Sequence, residues 1–308
     1  MLKAKRIEFF IIKKCINNCI FCSESDRFDG SELALDSVKR TLSGQKKKGV
    51  ELVHFMGGEP TIHSRFQDIL VFSKGLGYRT HIITNGIRFA GKSFCKATVP
   101  YLDEIMFSVH GHNARVHNAN TRNPESFLKL VKGIDNVSQY AKTSLTATTS
   151  ITNLNFRHLK KIAALLDKFS IKELQFISII PSGEGKRNYL NIIPRMLDLK
   201  DAIEEVVSFC ISKGINARFA GVPMCILGKH YTYSSDLWEE FKIDNSGSHN
   251  NKLKLWKEPG IEGKGGFKID IGRIKTAKCK GCSLNNLCGG IYQKYYLKYG
   301  DDELTPFL

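Results

Sequence analysis

Nine cysteines are spread over the chain, and six of them fall into two tight groups. Cys15, Cys19 and Cys22 follow a C-x3-C-x2-C spacing, and Cys279, Cys282 and Cys288 follow C-x2-C-x5-C. Spacings this short bring several sulfur donors to one point, which is what a soft metal ion or an iron–sulfur cluster requires. An odd cysteine total without a secretion signal argues against a disulfide framework. Zinc is a fair alternative for the second group, because Cys225 could complete a four-thiolate tetrahedron. It suits the first group less well. Three thiolates with no adjacent histidine leave a coordination position open, as a site that performs chemistry needs. Cys95 and Cys210 stand alone among apolar neighbours (SFCKA, SFCIS) and are expected to be core thiols.

Such donors need a scaffold. From Arg6 onward the sequence alternates short runs rich in Ile, Val, Phe and Thr with amphipathic stretches. The runs predict strands at Arg6–Ile12, Glu51–Met56, Thr80–Thr84, Glu104–Val109, Ser144–Ile151 and Glu173–Ile180. Between them, helices are predicted at Glu32–Lys48, Phe66–Gly75, Lys92–Ala97, Glu125–Tyr140, Phe156–Phe169 and Pro194–Lys213. This alternation implies right-handed βαβ units and a parallel sheet. The expected fold class is α/β, a partial (β/α)6 TIM-like barrel over residues 1–215, with its site at the carboxyl ends of the strands. A small C-terminal extension, residues 216–308, opens with a seventh strand candidate, Asn216–Ala220. A looped insertion is expected at 230–270, followed by the second cysteine group and a Tyr-rich tail.

Composition narrows the classes. Of 308 residues, 42% are hydrophobic and 25% charged, the balance of a globular chain and not of a disordered or fibrous one. The longest apolar runs, Phe9 to Ile12 and Phe176 to Ile180, are far short of the roughly 20 residues a bilayer span needs. The first fifteen residues read as a strand and not as a signal peptide, so a cytoplasmic location is expected, with no membrane. The net charge of +16 leans slightly toward an anionic substrate. Its densest patches, at Lys46 to Lys48, Lys160-Lys161 and Lys252 to Lys257, are not interleaved with aromatics, and a nucleic-acid partner is not expected.

The second strand ends in Gly57, Gly58, Glu59 and Pro60, in the same presumptive mouth as the first cysteines. Alone, GGEP is a turn; here the glycines would let a backbone approach a ligand closely, and Glu59 would offer an acceptor to a cationic group. Together, C-x3-C-x-F-C after one strand and GGEP after the next resemble the radical S-adenosylmethionine (SAM) superfamily, over roughly residues 6–215. The resemblance implies that Cys15, Cys19 and Cys22 bind three irons of a [4Fe–4S] cluster, the fourth taking the amine and carboxylate of SAM. It implies reductive cleavage of SAM to a 5′-deoxyadenosyl radical that abstracts a substrate hydrogen atom. Phe21 would shield a cluster face, and Gly57, Gly58, Glu59 and Pro60 would line the SAM methionine. The family's use of polar residues from strands four and five points to Ser108 and Thr148, with Asn85 closing strand three. His110 and His112 are candidates to face substrate; His54, His63 and His117 are expected to be structural.

The segment CKGCSLNNLC resembles part of the SPASM and twitch extensions of that superfamily, which bind auxiliary clusters. A full SPASM extension carries seven cysteines, whereas this chain offers Cys225 and the terminal three, with Tyr292 at the position four after Cys288. A shortened, twitch-like module with one auxiliary [4Fe–4S] cluster is therefore expected, Cys225 being the plausible fourth ligand. If Cys225 is not a ligand, the open iron could bind substrate, or Cys225 could donate a hydrogen atom. The implied reaction is an oxidative modification, dehydrogenation or bond formation, of a small anionic metabolite or a peptide. The electron would come from a donor such as flavodoxin or ferredoxin. A ribosomal-peptide maturase or epimerase is the alternative, set back because the first strand begins by Arg6 and leaves no room for a peptide-recognition domain before it. A nucleic-acid-modifying protein and a non-catalytic zinc protein are more distant.

Overall fold

The computed structural model describes residues 6–237, 252–255 and 272–308. The core runs β1 (Arg6–Ile12), α1 (Leu35–Lys47), β2 (Leu52–Gly57), α2 (Phe66–Gly75), β3 (Arg79–Thr84), α3 (Lys92–Thr98) and β4 (Glu104–Ser108). It continues with α4 (Ala114–Thr121), α5 (Ser126–Ser138), β5 (Ser144–Ile151), α6 (Leu159–Asp167) and β6 (Glu173–Ser178). Next come α7 (Gly183–Ile192), α8 (Met196–Ser212) and β7 (Asn216–Ala220). Neighbouring strands pair parallel in the order β7-β6-β5-β4-β3-β2-β1. Alternate residues of each strand, such as Ile7, Phe9 and Ile11 or Val53 and Phe55, bury themselves beneath the helices. Helices such as α6 answer with an apolar stripe: Leu159, Ile162, Ala163 and Leu166 are all buried. Each such Leu or Ile contributes about 1.5–3 kcal/mol relative to exposure.

An eighth strand, β8 (Lys252–Leu255), pairs parallel with β1 at the far edge of the sheet. The looped insertion expected at 230–270 is corrected there, since these four residues form a strand. Residues 238–251 and 256–270 of that expectation lie outside the described residues. Among the described residues no pairing joins β7 to β8, so the sheet is an open, partial barrel. Both β7 and β8 belong to the stretch assigned to the extension, yet both pair into the core sheet. The rest of the extension comprises α9 (Met224–Leu227), the antiparallel pair β9 (Arg273–Ile274) and β10 (Ile291–Tyr292), and α10 (Gln293–Tyr299). The Tyr-rich tail is thus a helix docked on the core, where Tyr295 is buried and donates to Glu303 (2.5 Å). No described helix is long and apolar enough to cross a membrane.

Two helices of the core were not expected. α4 buries Val116 with His117, Asn120 and Thr121, and α7 starts Gly-Glu-Gly, so neither shows an apolar period. The helix expected from Glu32 starts instead at Leu35, because Glu32 bridges back to Ile12 and its carboxylate accepts from Ser64.

Candidate active site and a second cysteine centre

The first cysteine loop leaves the carboxyl end of β1 and runs between α4 and α7. On one side the Asn18 and Ile20 N–H groups donate to the carbonyls of Thr121 and Asn120, both at 3.0 Å. On the other, the Asn188 amide donates to Ile20 O (2.8 Å) and the Ser182 hydroxyl to Ser23 O (3.0 Å). Asn113 caps α4 by accepting from Val116 N (3.0 Å), which fixes where that shelf begins. Asn123 donates to the Asn17 side chain (2.8 Å). Gly183 has φ +54°, and a Cβ there would stand 2.5 Å from Cys22 O, so α7 can approach only as glycine.

The end of β2 closes onto the same loop. Gly58 N donates to Ile12 O (3.0 Å) and Glu59 N to Lys14 O (2.9 Å). A Cβ on Gly58 would lie 2.2 Å from Lys14 O, and one on Gly57 2.4 Å from Ile12 O. The two glycines are therefore required by the approach of the cysteine loop itself. Pro60, buried, starts the short turn that follows, with Glu59 accepting from Thr61 N (3.1 Å). The expectation that Glu59 receives a cationic group gives way. Its carboxylate is buried and already accepts from the hydroxyls of Thr61 (2.6 Å) and Thr84 (2.8 Å) and from Asn85 N (2.7 Å). Burial pushes its pKa up, and these donors pull against that shift. Glu59 is a strut tying the end of β2 to the end of β3. Glu59→Gln would bring two donors into a site that offers only donors. It is expected to cost about 1–3 kcal/mol, read as a lower urea midpoint.

The sulfur atoms sit in a shielded setting. Cys15 Sγ accepts from Asn17 N (3.4 Å) and faces the Asn85 amide (3.9 Å). Burial, then the Glu59 charge, push the Cys15 thiol up to about 12. Burial likewise raises Cys19 and Cys22. In the metal-free chain these thiols keep their protons, and a thiophilic centre would displace them on binding. Ser108 and Thr148 are register partners on β4 and β5. The Thr148 hydroxyl is buried with no hydrogen-bond partner, which is costly unless a ligand supplies one. Phe21 lies edge-on to the His110 ring at 4.5 Å. His110 is buried, accepts from Ser150 N (3.2 Å), and burial holds it neutral. His112 does not join it. It packs against His158 (4.7 Å) at the start of α6, because the chain turns outward into α4 after Gly111. His63 and His117 serve the backbone, through Leu33 O and Arg65 N for one and His110 N for the other. His54 stacks on His81 at 4.0 Å. Cys95 and Cys210 are buried in the core.

The second centre brings distant residues together. Cys225 on α9 lines one pocket with Cys279, Cys282 and Cys288; Lys275, Asn285 and Gly290 also line it. Cys288 Sγ accepts from Gly290 N (3.3 Å) and Met224 N (3.5 Å), and Thr276 faces Cys279 Sγ (3.7 Å). Burial pushes the Cys225 thiol up to about 11, with the other three cysteines adding to the shift. Among the described residues no three His, Cys, Asp or Glu side chains already converge on a single-ion position. Sequence reasoning missed Asn120, Asn123, Asn188, Thr61 and Thr84, which hold the first loop and its strut, and the Asp236–Arg273 pair beside the second centre.

A loop of three thiols at the mouth of an open parallel barrel defines a class. The Radical SAM superfamily profile matches residues 9–166, just over half of the chain, and the chain belongs to that superfamily. Among named relatives, the mycofactocin maturase MftC of Mycolicibacterium smegmatis is 27% identical over 172 residues, which is 56% of this chain and 43% of the relative. The chain spans about half the length of the curated relatives it matches. Streptococcus suis SuiB bound to precursor peptide SuiA superposes with a TM-score of 0.64 at 16% identity, over 96% of this chain and 73% of that one. SuiB bound to S-adenosylmethionine gives 0.63 at 16% identity, over 96% and 74%. The superfamily uses a [4Fe–4S] cluster and SAM. Three half-buried cysteines, one already receiving an N–H, and the unpartnered Thr148 hydroxyl fit those groups.

Proposed function

We propose that the chain is a two-cluster radical SAM enzyme that oxidatively modifies a peptide, with a small anionic substrate as the broader class. The observation that carries this reading is the entry of Cys225 into the pocket of Cys279, Cys282 and Cys288, a full four-thiolate set for an auxiliary [4Fe–4S] cluster. Cys15, Cys19 and Cys22 hold the first cluster, leaving a corner for SAM. When bound, that pair supplies a 5′-deoxyadenosyl radical able to abstract a hydrogen atom from substrate. The chain's part is to bind and orient. Gly57, Gly58 and Pro60 form the edge where the SAM methionine lies, Asn85 faces the Cys15 sulfur, and Ser108 and Thr148 meet the SAM carboxylate or ribose. His110 backs Phe21 beside the cluster loop. The core occupies residues 1–215 and the extension 216–308, with β7 and β8 completing the core sheet. The names of MftC and of the SuiB–precursor peptide complex favour a peptide substrate. An external one-electron donor, such as flavodoxin or ferredoxin, and a reducing cytoplasm complete the requirements.

Anaerobic reconstitution tests the reading. About eight irons and eight sulfides per chain are expected for two cubane clusters; zinc in their place would overturn it. Deuterium passing from a labelled candidate peptide into 5′-deoxyadenosine identifies the substrate. Thr148→Val is expected to weaken SAM binding by about 1 kcal/mol, roughly fivefold, without lowering thermal stability, since it removes a buried hydroxyl that nothing in the chain satisfies. Isothermal titration with SAM, beside a melting curve, checks both halves.

A further inference from the structure

We propose that Arg273 on β9 and Lys275 just past its end form a cationic brace that raises the reduction potential of the auxiliary cluster. The proposal rests on Cys225, Cys279, Cys282 and Cys288 holding that cluster. Arg273, its side chain 4% exposed, forms a two-pronged ion pair with Asp236 at 2.8 and 2.7 Å. The same guanidinium donates twice to Gly290 O, both at 3.1 Å, and Asp236 accepts from Gly289 N (2.7 Å). The pair thus grips the peptide groups on either side of the Gly289–Gly290 peptide, whose Gly290 N–H points at the Cys288 sulfur, 3.3 Å away. The grip is tight enough that a Cβ on Gly289 would stand 2.1 Å from Arg273 Nη1. Two residues on from Arg273, just past the end of β9, Lys275 lines the pocket itself and donates to the carbonyls of Asn285 (2.5 Å) and Cys288.

These contacts act in one direction. A cluster held by four thiolates is net negative and becomes more so on reduction. An N–H aimed at a ligand sulfur and a nearby cation both favour the reduced form. The Arg273 charge is offset by Asp236, so its part is geometric; Lys275 brings the charge. A raised potential suits a centre that accepts an electron from substrate better than one that must supply it to SAM.

The test uses the reconstituted full chain and a redox titration followed by electron paramagnetic resonance. Lys275→Gln keeps an amide donor for the two carbonyls and removes the charge. It is expected to reduce the equilibrium constant for auxiliary-cluster reduction about tenfold, a fall of about 59 mV for a one-electron couple, with the N-terminal cluster unmoved. Lys275→Arg should restore the midpoint. Lys278→Gln, on the same loop but bonded to Asp301 O, should leave it unchanged. An unmoved midpoint in Lys275→Gln with about eight irons present overturns the proposal while leaving the two-cluster reading intact. Wild-type protein with only about four irons overturns both.

Discussion

A chain carrying Cys15→Ala, Cys19→Ala and Cys22→Ala together should form no 5′-deoxyadenosine from SAM and dithionite. One-electron cleavage of a sulfonium needs a donor of very low potential, and cysteine-held clusters reach about −700 mV at the extreme. The auxiliary centre, with a full four-thiolate set, leaves no open corner for SAM. The loss should therefore run to the uncatalysed background, at least about 10⁶-fold. The fold should survive it. The loop is fastened by backbone groups to Thr121, Asn120, Asn188 and Ser182, and not by its thiols. Circular dichroism should show a melting curve close to wild type, and iron should fall by half, one cubane of two. Persistent 5′-deoxyadenosine in a folded triple variant would sink the assignment of this loop.

The second large effect concerns the other centre. Cys279→Ala with Cys282→Ala should also remove about half the iron. Here SAM cleavage should continue while coupling to substrate oxidation is lost, because the mouth of the barrel is untouched. Cys225→Ala separates the two roles open to that residue. As a ligand, its loss should strip or degrade the auxiliary cluster, which absorbance and iron analysis detect. As a hydrogen-atom donor, its loss should leave about eight irons and change only the product. The shared pocket leads us to expect the first result.

How much of this was legible in the sequence follows from what each element buries. β1 and β5 end where their β-branched and aromatic runs stop, and β7 has the bounds expected of it from sequence. α4 and α7 were hidden because much of what they bury is small or polar: Asn120 and Thr121 in α4, Gly183 and Gly185 in α7. Those are the residues that allow close approach and satisfy loop carbonyls. The short range between Cys15 and Cys22 revealed the first centre, whereas Cys225 could be joined to the second only by motif. Glu59 looked like a ligand because its partners, Thr61 in the turn that follows it and Thr84 at the end of the neighbouring strand, are unremarkable in sequence. His110 and His112 looked equivalent. The turn into α4 separates them, and turns of that kind carry no periodic signal.

The clamp of α4 and α7 around the first cysteine loop has a consequence for a protein that meets oxygen. Its grip uses main-chain and amide groups, so the seat keeps its shape after the inorganic core has corroded away. Repair then becomes a matter of iron and sulfide supply, with no need to refold the polypeptide.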